Sequence, residues 1–384
     1  MQAKLRQIQM YCDARFFTVN VAKTVACIFG QLPPALPVLV LHDTPLLWQQ
    51  ETTYIGVTLR TTAPDVFQPH YECKAQAARK LANASFSLES YVGSLPPSVV
   101  QTLCEVALDV RPQSVELLEK VQHTVLRCLL GISTCSQLTP LFSESGLWPK
   151  QPDLALAAFQ EACTLASAGF VSWITDLLHA LRALPSPIDL SVLLHPTVTT
   201  FHHIAALLEE SLARWIHDSV LHNNRLPLLQ WRFRLTLFPP TEIPPLRTLC
   251  VWHQYLSVPD KSHRRAVAKL LTSEHPFAVE VLRRVQPAVP CHWRVCRFGR
   301  RQLAIETETH VLLHPFLEEA AAVLGRVVQN RLPIWSLLQF LDFLLTRDNL
   351  LPRFAEYIYD VFELTKTIPV LHIIDVNGYQ MLPP

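Results

Sequence analysis

Tyr11-Cys12-Asp13-Ala14-Arg15-Phe16-Phe17-Thr18-Val19-Asn20-Val21-Ala22-Lys23-Thr24 is where the chain changes from helical to extended patterning. Upstream, Leu5, Ile8, Cys12 and Phe16 recur at helical spacing, which predicts a helix over residues 2–14. Downstream, Val25–Phe29 and Val38–Leu41 are apolar runs parted by a proline-rich turn, and Thr53–Leu59 is a third strand candidate. Lys23 sits at the junction. A lysine there can reach a phosphate as a mobile point charge or donate a proton. A solvated loop lysine fits the same spacing.

From about residue 71 the pattern is helical. Ala77, Leu81, Ser85, Leu88 and Val92 form one stripe; Leu118, Val121, Val125 and Leu129 form another. Pro96 and Pro97 separate two helices, with Ser98 as an N-cap. Further helices are predicted near 153–168, 171–184, 199–221, 244–256, 262–272, 276–285, 315–329, 334–346 and 349–366. The fold class is therefore mainly α with a small N-terminal β patch. The divisions expected are 1–63, 64–149 and 150–384.

Bulk composition bounds the function. Of 384 residues, 49% are apolar and 17% charged, enough for a sizeable core. Ten cysteines without dense spacing favour reduced thiols and an intracellular protein, in cytoplasm or nucleus. Nine glycines against 30 prolines, with no GxxxxGK[ST] and no GxGxxG, disfavour a phosphate-cradling glycine loop. Apolar stretches are broken by proline, so no membrane span is expected. Ser143-Glu144-Ser145-Gly146 lacks the strand and glycine spacing of a nucleophile elbow.

Charge is segregated along the chain. Residues 261–301 hold ten Lys or Arg, including Arg264, Arg265, Lys269, Arg297, Arg300 and Arg301, against Glu274 and Glu280. That is +8 locally in a chain of +1. Such a segment attracts phosphates, and Trp293 and Phe298 within it can stack on bases. A solvated basic helix face reads the same way. Within it Cys291, Cys296, His310 and His314 offer two sulfurs and two imidazoles, a tetrahedral zinc set of unusual spacing. Buried thiols with surface histidines are the alternative.

The opening stretch resembles the segment after the catalytic YxDD motif in non-LTR (LINE-type) retrotransposon reverse transcriptases, of the kind found in fungi. There a TVN-x-x-KT turn leads into a strand like Ala26-Cys27-Ile28-Phe29. Thr44-Pro45-Leu46-Leu47-Trp48 followed by Thr53-Tyr54-Ile55-Gly56-Val57-Thr58-Leu59 resembles the family's small hairpin. Leu126–Ile132 and Pro140–Pro149 look like segments downstream of its thumb, and His263–Leu271 and Asp348–Phe362 like its tail. The resemblance implies a residual palm, a helical thumb and a helical tail. It implies Lys23 near an incoming nucleotide, in a complete polymerase only, and Asn20, Trp48, Tyr54 and Gly56 around the primer end. It implies Lys74, Arg79 and Lys80 along a duplex backbone.

The family's catalytic aspartates are not in this chain, which has no Asp-Asp pair. Magnesium chemistry would need them. The tail's Cys-x2-Cys knuckle is altered at Gly299. The expectation is a truncated, reverse-transcriptase-like protein that binds an RNA or DNA primer–template without polymerising alone. A fragment of an active polymerase, or a helical protein-binding scaffold, are the alternatives.

Overall fold

A computed structural model describes residues 1–30, 33–54, 56–61, 66–94, 112–149, 198–235, 243–298, 304–313, 337–375 and 378–382. Helix α1, Gln2–Ala14, opens the chain. A 3-10 turn, Val21–Lys23, follows; the Asn20 side chain caps it, accepting from the Lys23 N–H at 3.1 Å. Then come β1 (Val25–Ala26), β2 (Val40–Leu41), β3 (Thr44–Pro45), β4 (Leu47–Trp48), β5 (Glu51–Tyr54) and β6 (Val57–Arg60). β1 pairs parallel with β4, while β2–β3 and β5–β6 are antiparallel.

Local chemistry explains these turns. His42 and Asp43 both take positive φ, 48° and 57°, as a two-residue turn between right-twisted strands requires. The predicted strand Thr53–Leu59 is instead a hairpin, with Tyr54 opposite Val57. Gly56 between them has φ +80°, where a missing Cβ removes the steric penalty. The Gln2 amide pairs with both backbone groups of Val40, at 2.8 and 2.9 Å, and so closes an open edge of β2. Ala26, Leu39, Leu41 and Leu46 make a small core here, with Leu5, Val19, Val21 and Trp48 against it.

The rest is mainly helical: α2 (Gln68–Val92), α3 (Pro112–Leu130), α4 (Thr139–Ser145), α5 (Val198–Leu221), α6 (Pro227–Leu235), α7 (Leu246–Leu249), α8 (Lys261–Leu271), α9 (Ala278–Arg284), α10 (Glu308–Leu313), α11 (Leu337–Leu345) and α12 (Leu351–Thr367). One apolar cluster runs through α2–α8 and α10–α12. α8 lies at its centre, packed on α3 and α12. Asp260 caps α8, its carboxylate accepting from the N–H groups of Ser262 and His263 at 2.8 and 2.9 Å. The helices expected at 153–168, 171–184 and 315–329, and the Pro96–Ser98 break, lie outside the described residues.

Two expectations about packing divide. Leu118, Val121, Val125 and Leu129 are buried as their spacing implies. On α2 the buried face is Tyr71, Ala75, Ala78 and Ala82, whereas Leu81 and Leu88 are 46% and 56% exposed. Alanines with their short Cβ let α2 approach α3 closely, so the small residues face inward. A C-terminal hairpin, β7 (Val370–Asp375) with β8 (Gly378–Leu382), adds strand beyond the N-terminal patch.

Gly146 ends α4 at φ +67°, and a Cβ there would meet the backbone nitrogen of Trp252 at 2.5 Å. Gly146→Ala is expected to cost more than about 2 kcal/mol, combining left-handed strain with a clash against backbone. Gly30→Ala, at φ +97° with nothing within 4 Å, is expected to cost about 1 kcal/mol. Urea denaturation of both variants measures the difference; equal losses would contradict the close approach.

Candidate nucleic-acid interface

The lysine turn and the hairpin lie on the surface of the N-terminal lobe. The Lys23 side chain is exposed. Asn20 is occupied as the cap of its own turn. Trp48 is half-buried against the small core, and its indole N–H donates to the Pro37 carbonyl at 2.8 Å. Tyr54 stands at the hairpin tip, 67% exposed. Gly56 has open space beside it.

Helix α2 packs on β6 of that hairpin. The His70 ring nitrogen accepts from the Thr58 N–H at 3.4 Å across this junction. Lys74, Arg79 and Lys80 are all exposed, and no ion pair holds them among the described residues. At about 100° per residue, Lys74 and Arg79 flank the buried stripe on opposite sides and Lys80 points away from it. They therefore spread charge around the outer half of the helix.

The basic segment is different. Among its described cations Arg264, Arg294 and Arg297 have buried side chains. Arg264 is 1% exposed, ion-paired to Glu89 of α2, and donates to the carbonyls of Val258 and Pro259, each at 3.1 Å. Lys261 reaches the other Glu89 oxygen at 2.6 Å. Burial and the neighbouring Arg265 pull the Arg264 pKa down to about 10, so it stays charged at neutral pH. Arg265 donates to the Cys128 carbonyl. Arg294 is buried, donating to Val289 and Val279 carbonyls at 2.8 and 2.6 Å. Lys269 is half-buried on α8. Arg300 and Arg301 lie outside the described residues. Trp293 and Phe298 are half-buried, each packed against a buried cluster.

Arg297 and Glu306 form another buried pair, with side chains 2% and 0% exposed and a separation of 3.0 Å. Glu306 also accepts from the N–H groups of Ala278 and Arg297, at 2.8 and 2.9 Å. Arg297 donates onward to the carbonyls of Thr365, Ile368 and Pro276 at 2.9, 3.0 and 2.9 Å. The local charge count along the chain thus overstated the outward field. The counter-charges, Glu89 and Glu306, both lie outside residues 261–301 in the chain and meet the cations only in the fold.

A third buried carboxylate organises α4. Glu144 is inaccessible, ion-paired to Arg232 of α6, and accepts from the Tyr255 hydroxyl at 2.8 Å. Burial opposes its charge, but Arg232 outweighs that and holds its pKa below the ordinary value. Burial and Arg232 also push His253 beside it from 6.5 down to about 4. Sequence reasoning passed over this cluster. Glu144 and Arg232 stand 88 positions apart, and Glu89 and Arg264 175 apart, so no local spacing marks them.

The proposed zinc set is dispersed in kind. Cys291 is exposed, Cys296 is buried and His310 is half-buried on α10. The Cys296 N–H donates to the Ala304 carbonyl at 2.8 Å in a short antiparallel pairing. His314 lies outside the described residues. Among the described residues no three His, Cys, Asp or Glu side chains come together as a metal shell. No described helix is long and apolar enough to cross a membrane. Comparison with models of protein families, with curated proteins and with solved structures finds no match to the chain.

Arg297→Met is expected to destabilise the protein by about 3–5 kcal/mol, because Glu306 would keep a buried charge without its partner. Thermal and urea unfolding check it; a loss below about 1 kcal/mol would contradict the pairing. His253 gives a pH dependence. Its folded pKa lies below the unfolded one, so the unfolded chain binds the extra proton between about pH 6.5 and 4. Stability should therefore fall as pH drops through that window. Glu144, also depressed, loses its contribution in the same direction. His253→Gln should flatten the slope of stability against pH between those limits; an unchanged slope would rule out this origin.

Proposed function

We propose that the chain binds nucleic acid, taking a primer–template duplex by its phosphates in the manner that its resemblance to the thumb and tail of non-LTR reverse transcriptases implies. One observation carries this reading. Helix α2 presents Lys74, Arg79 and Lys80 to solvent without carboxylate partners among the described residues, beside a hairpin whose tip exposes Tyr54. Uncompensated cations release counterions from a polyanion, and an exposed aromatic ring stacks on an unpaired base. Lys23 adds a further exposed cation in the same lobe. Arg264 and Arg297 belong to the fold's internal pairing, and their contribution is to rigidity. Polymerisation is not assigned to this chain alone, since it lacks the paired aspartates that would hold two metal ions. A zinc role for Cys291, Cys296, His310 and His314 remains a proposal carried by their sequence alone.

A protein-binding scaffold is the second reading. Leu81 and Leu88 are exposed one heptad apart on α2, the arrangement of an unpartnered apolar stripe.

Salt separates the two. Fluorescence anisotropy of a labelled primer–template duplex, titrated with the full chain over a range of salt, should show affinity falling steeply with ionic strength. The triple variant Lys74→Ala, Arg79→Ala, Lys80→Ala should weaken binding and lower the slope by about 0.9 for each phosphate contact removed. Absent or salt-insensitive binding would sink the nucleic-acid reading.

A further inference from the structure

A cleft of about 890 Å³ opens between the loop after α3, the α5–α6 turn, the end of α8 and the segment following α9. Ligand pockets commonly fall in this size range. Three arginines line it: Arg225, Arg283 and Arg284. They come from two separate stretches of chain, so tertiary structure gathers them.

Two carboxylates stand nearby, and both are engaged. Glu274 accepts from the Ser133 N–H at 2.8 Å and from the Ser136 hydroxyl. Glu280 is ion-paired to Arg283, with Arg284 at 3.8 Å. Arg284 also donates to the Ser273 carbonyl at 2.8 Å. The Arg225 guanidinium has no acceptor among the described residues; only its backbone N–H is bonded, to the Asn223 side chain at 3.0 Å. Counting these five groups, the cleft carries one uncompensated positive charge. Burial and the neighbouring Arg225, Arg284 and Arg294 disfavour the charge on Arg283 and outweigh the support of Glu280, so its pKa lies below the ordinary value.

A second observation points the same way. Ser273 is 1% exposed, lines the cleft at φ +56°, and its hydroxyl has no hydrogen-bond partner. A buried hydroxyl without a partner is costly unless a ligand or water completes it. Guanidinium groups with a spare hydroxyl donor match the oxygens of a phosphoryl group, which arginine binds by paired N–H donors.

We propose that this cleft is a phosphate-binding site, with Arg225 as its free cation, Arg283 and Arg284 as flanking cations, and the Ser273 hydroxyl as a donor. The site stands on its own chemistry and does not rest on the α2 face. Its phosphate comes either from a free phosphorylated small molecule or from a nucleic-acid backbone.

Isothermal titration of the full chain with inorganic pyrophosphate is the test. Saturable one-to-one binding is expected, weakened at least about ten-fold by Arg225→Ala and largely retained in Arg225→Lys. Arg225 is exposed, so neither variant should disturb the fold, and unfolding curves check that. Arg79→Ala on α2 should leave pyrophosphate affinity unchanged. No binding, or binding equally strong in Arg225→Ala, would overturn the site. A single-stranded oligonucleotide that displaces pyrophosphate supports the site with backbone phosphate as occupant. One that binds without displacing it supports the site with a free phosphorylated ligand. Loss of duplex binding in the α2 variants, with pyrophosphate binding intact, separates this cleft from the proposed function.

Discussion

A carboxylate sealed from water needs its counter-charge and hydrogen-bond donors sealed in with it. Glu306 meets that condition with Arg297 and two backbone N–H groups. The requirement then propagates. Arg297 has five N–H donors, and burial obliges each to find an acceptor. Its remaining donors fix the carbonyls at the end of α12 and just before α9. One ion pair thereby sets the relative positions of α9, the 294–306 pairing and α12. Glu89 does the same between α2 and α8, and Glu144 between α4 and α6. Apolar packing around α8 supplies the bulk of the driving force, but it is non-directional. The buried pairs supply the direction.

This arrangement changes what positive charge means in the protein. An arginine inside a fold cannot also bind a phosphate outside it. Arg264, Arg294 and Arg297 therefore leave the surface field, whereas Lys74, Arg79 and Lys80 of α2 and Arg225 stay exposed. The first three lie on a helix and Arg225 on the turn between α5 and α6. The α2 cations sit on an element whose orientation the Glu89–Arg264 pair helps to hold.

Much of the architecture was legible. Periodicity located α1, α5, α8, α9, α11 and α12 to within a few residues, because each carries an apolar stripe long enough to show its period. α2 was legible as a helix but not as to its buried face. Leucine is the more apolar residue, yet Leu81 and Leu88 face solvent while Ala75, Ala78 and Ala82 are covered. Helix-to-helix distance decided that, and distance between helices is not written in a one-dimensional pattern. The hairpin at Tyr54–Val57 was similarly concealed. A run of β-formers reads as one strand until the Gly56 backbone turns it.

The sequence by itself determined the secondary-structure class, the small N-terminal β patch, the exposure of a polar lysine turn and the helix that carries Lys74, Arg79 and Lys80. These follow from local rules: residue periodicity, turn-forming residues, and the need of isolated charges for water. Only tertiary structure decided which charges are free. Glu89 and Arg264 meet across 175 positions, and Arg225 meets Arg283 and Arg284 from another part of the chain. Coulomb energy depends on distance in space and on burial, and neither is fixed until the helices have packed.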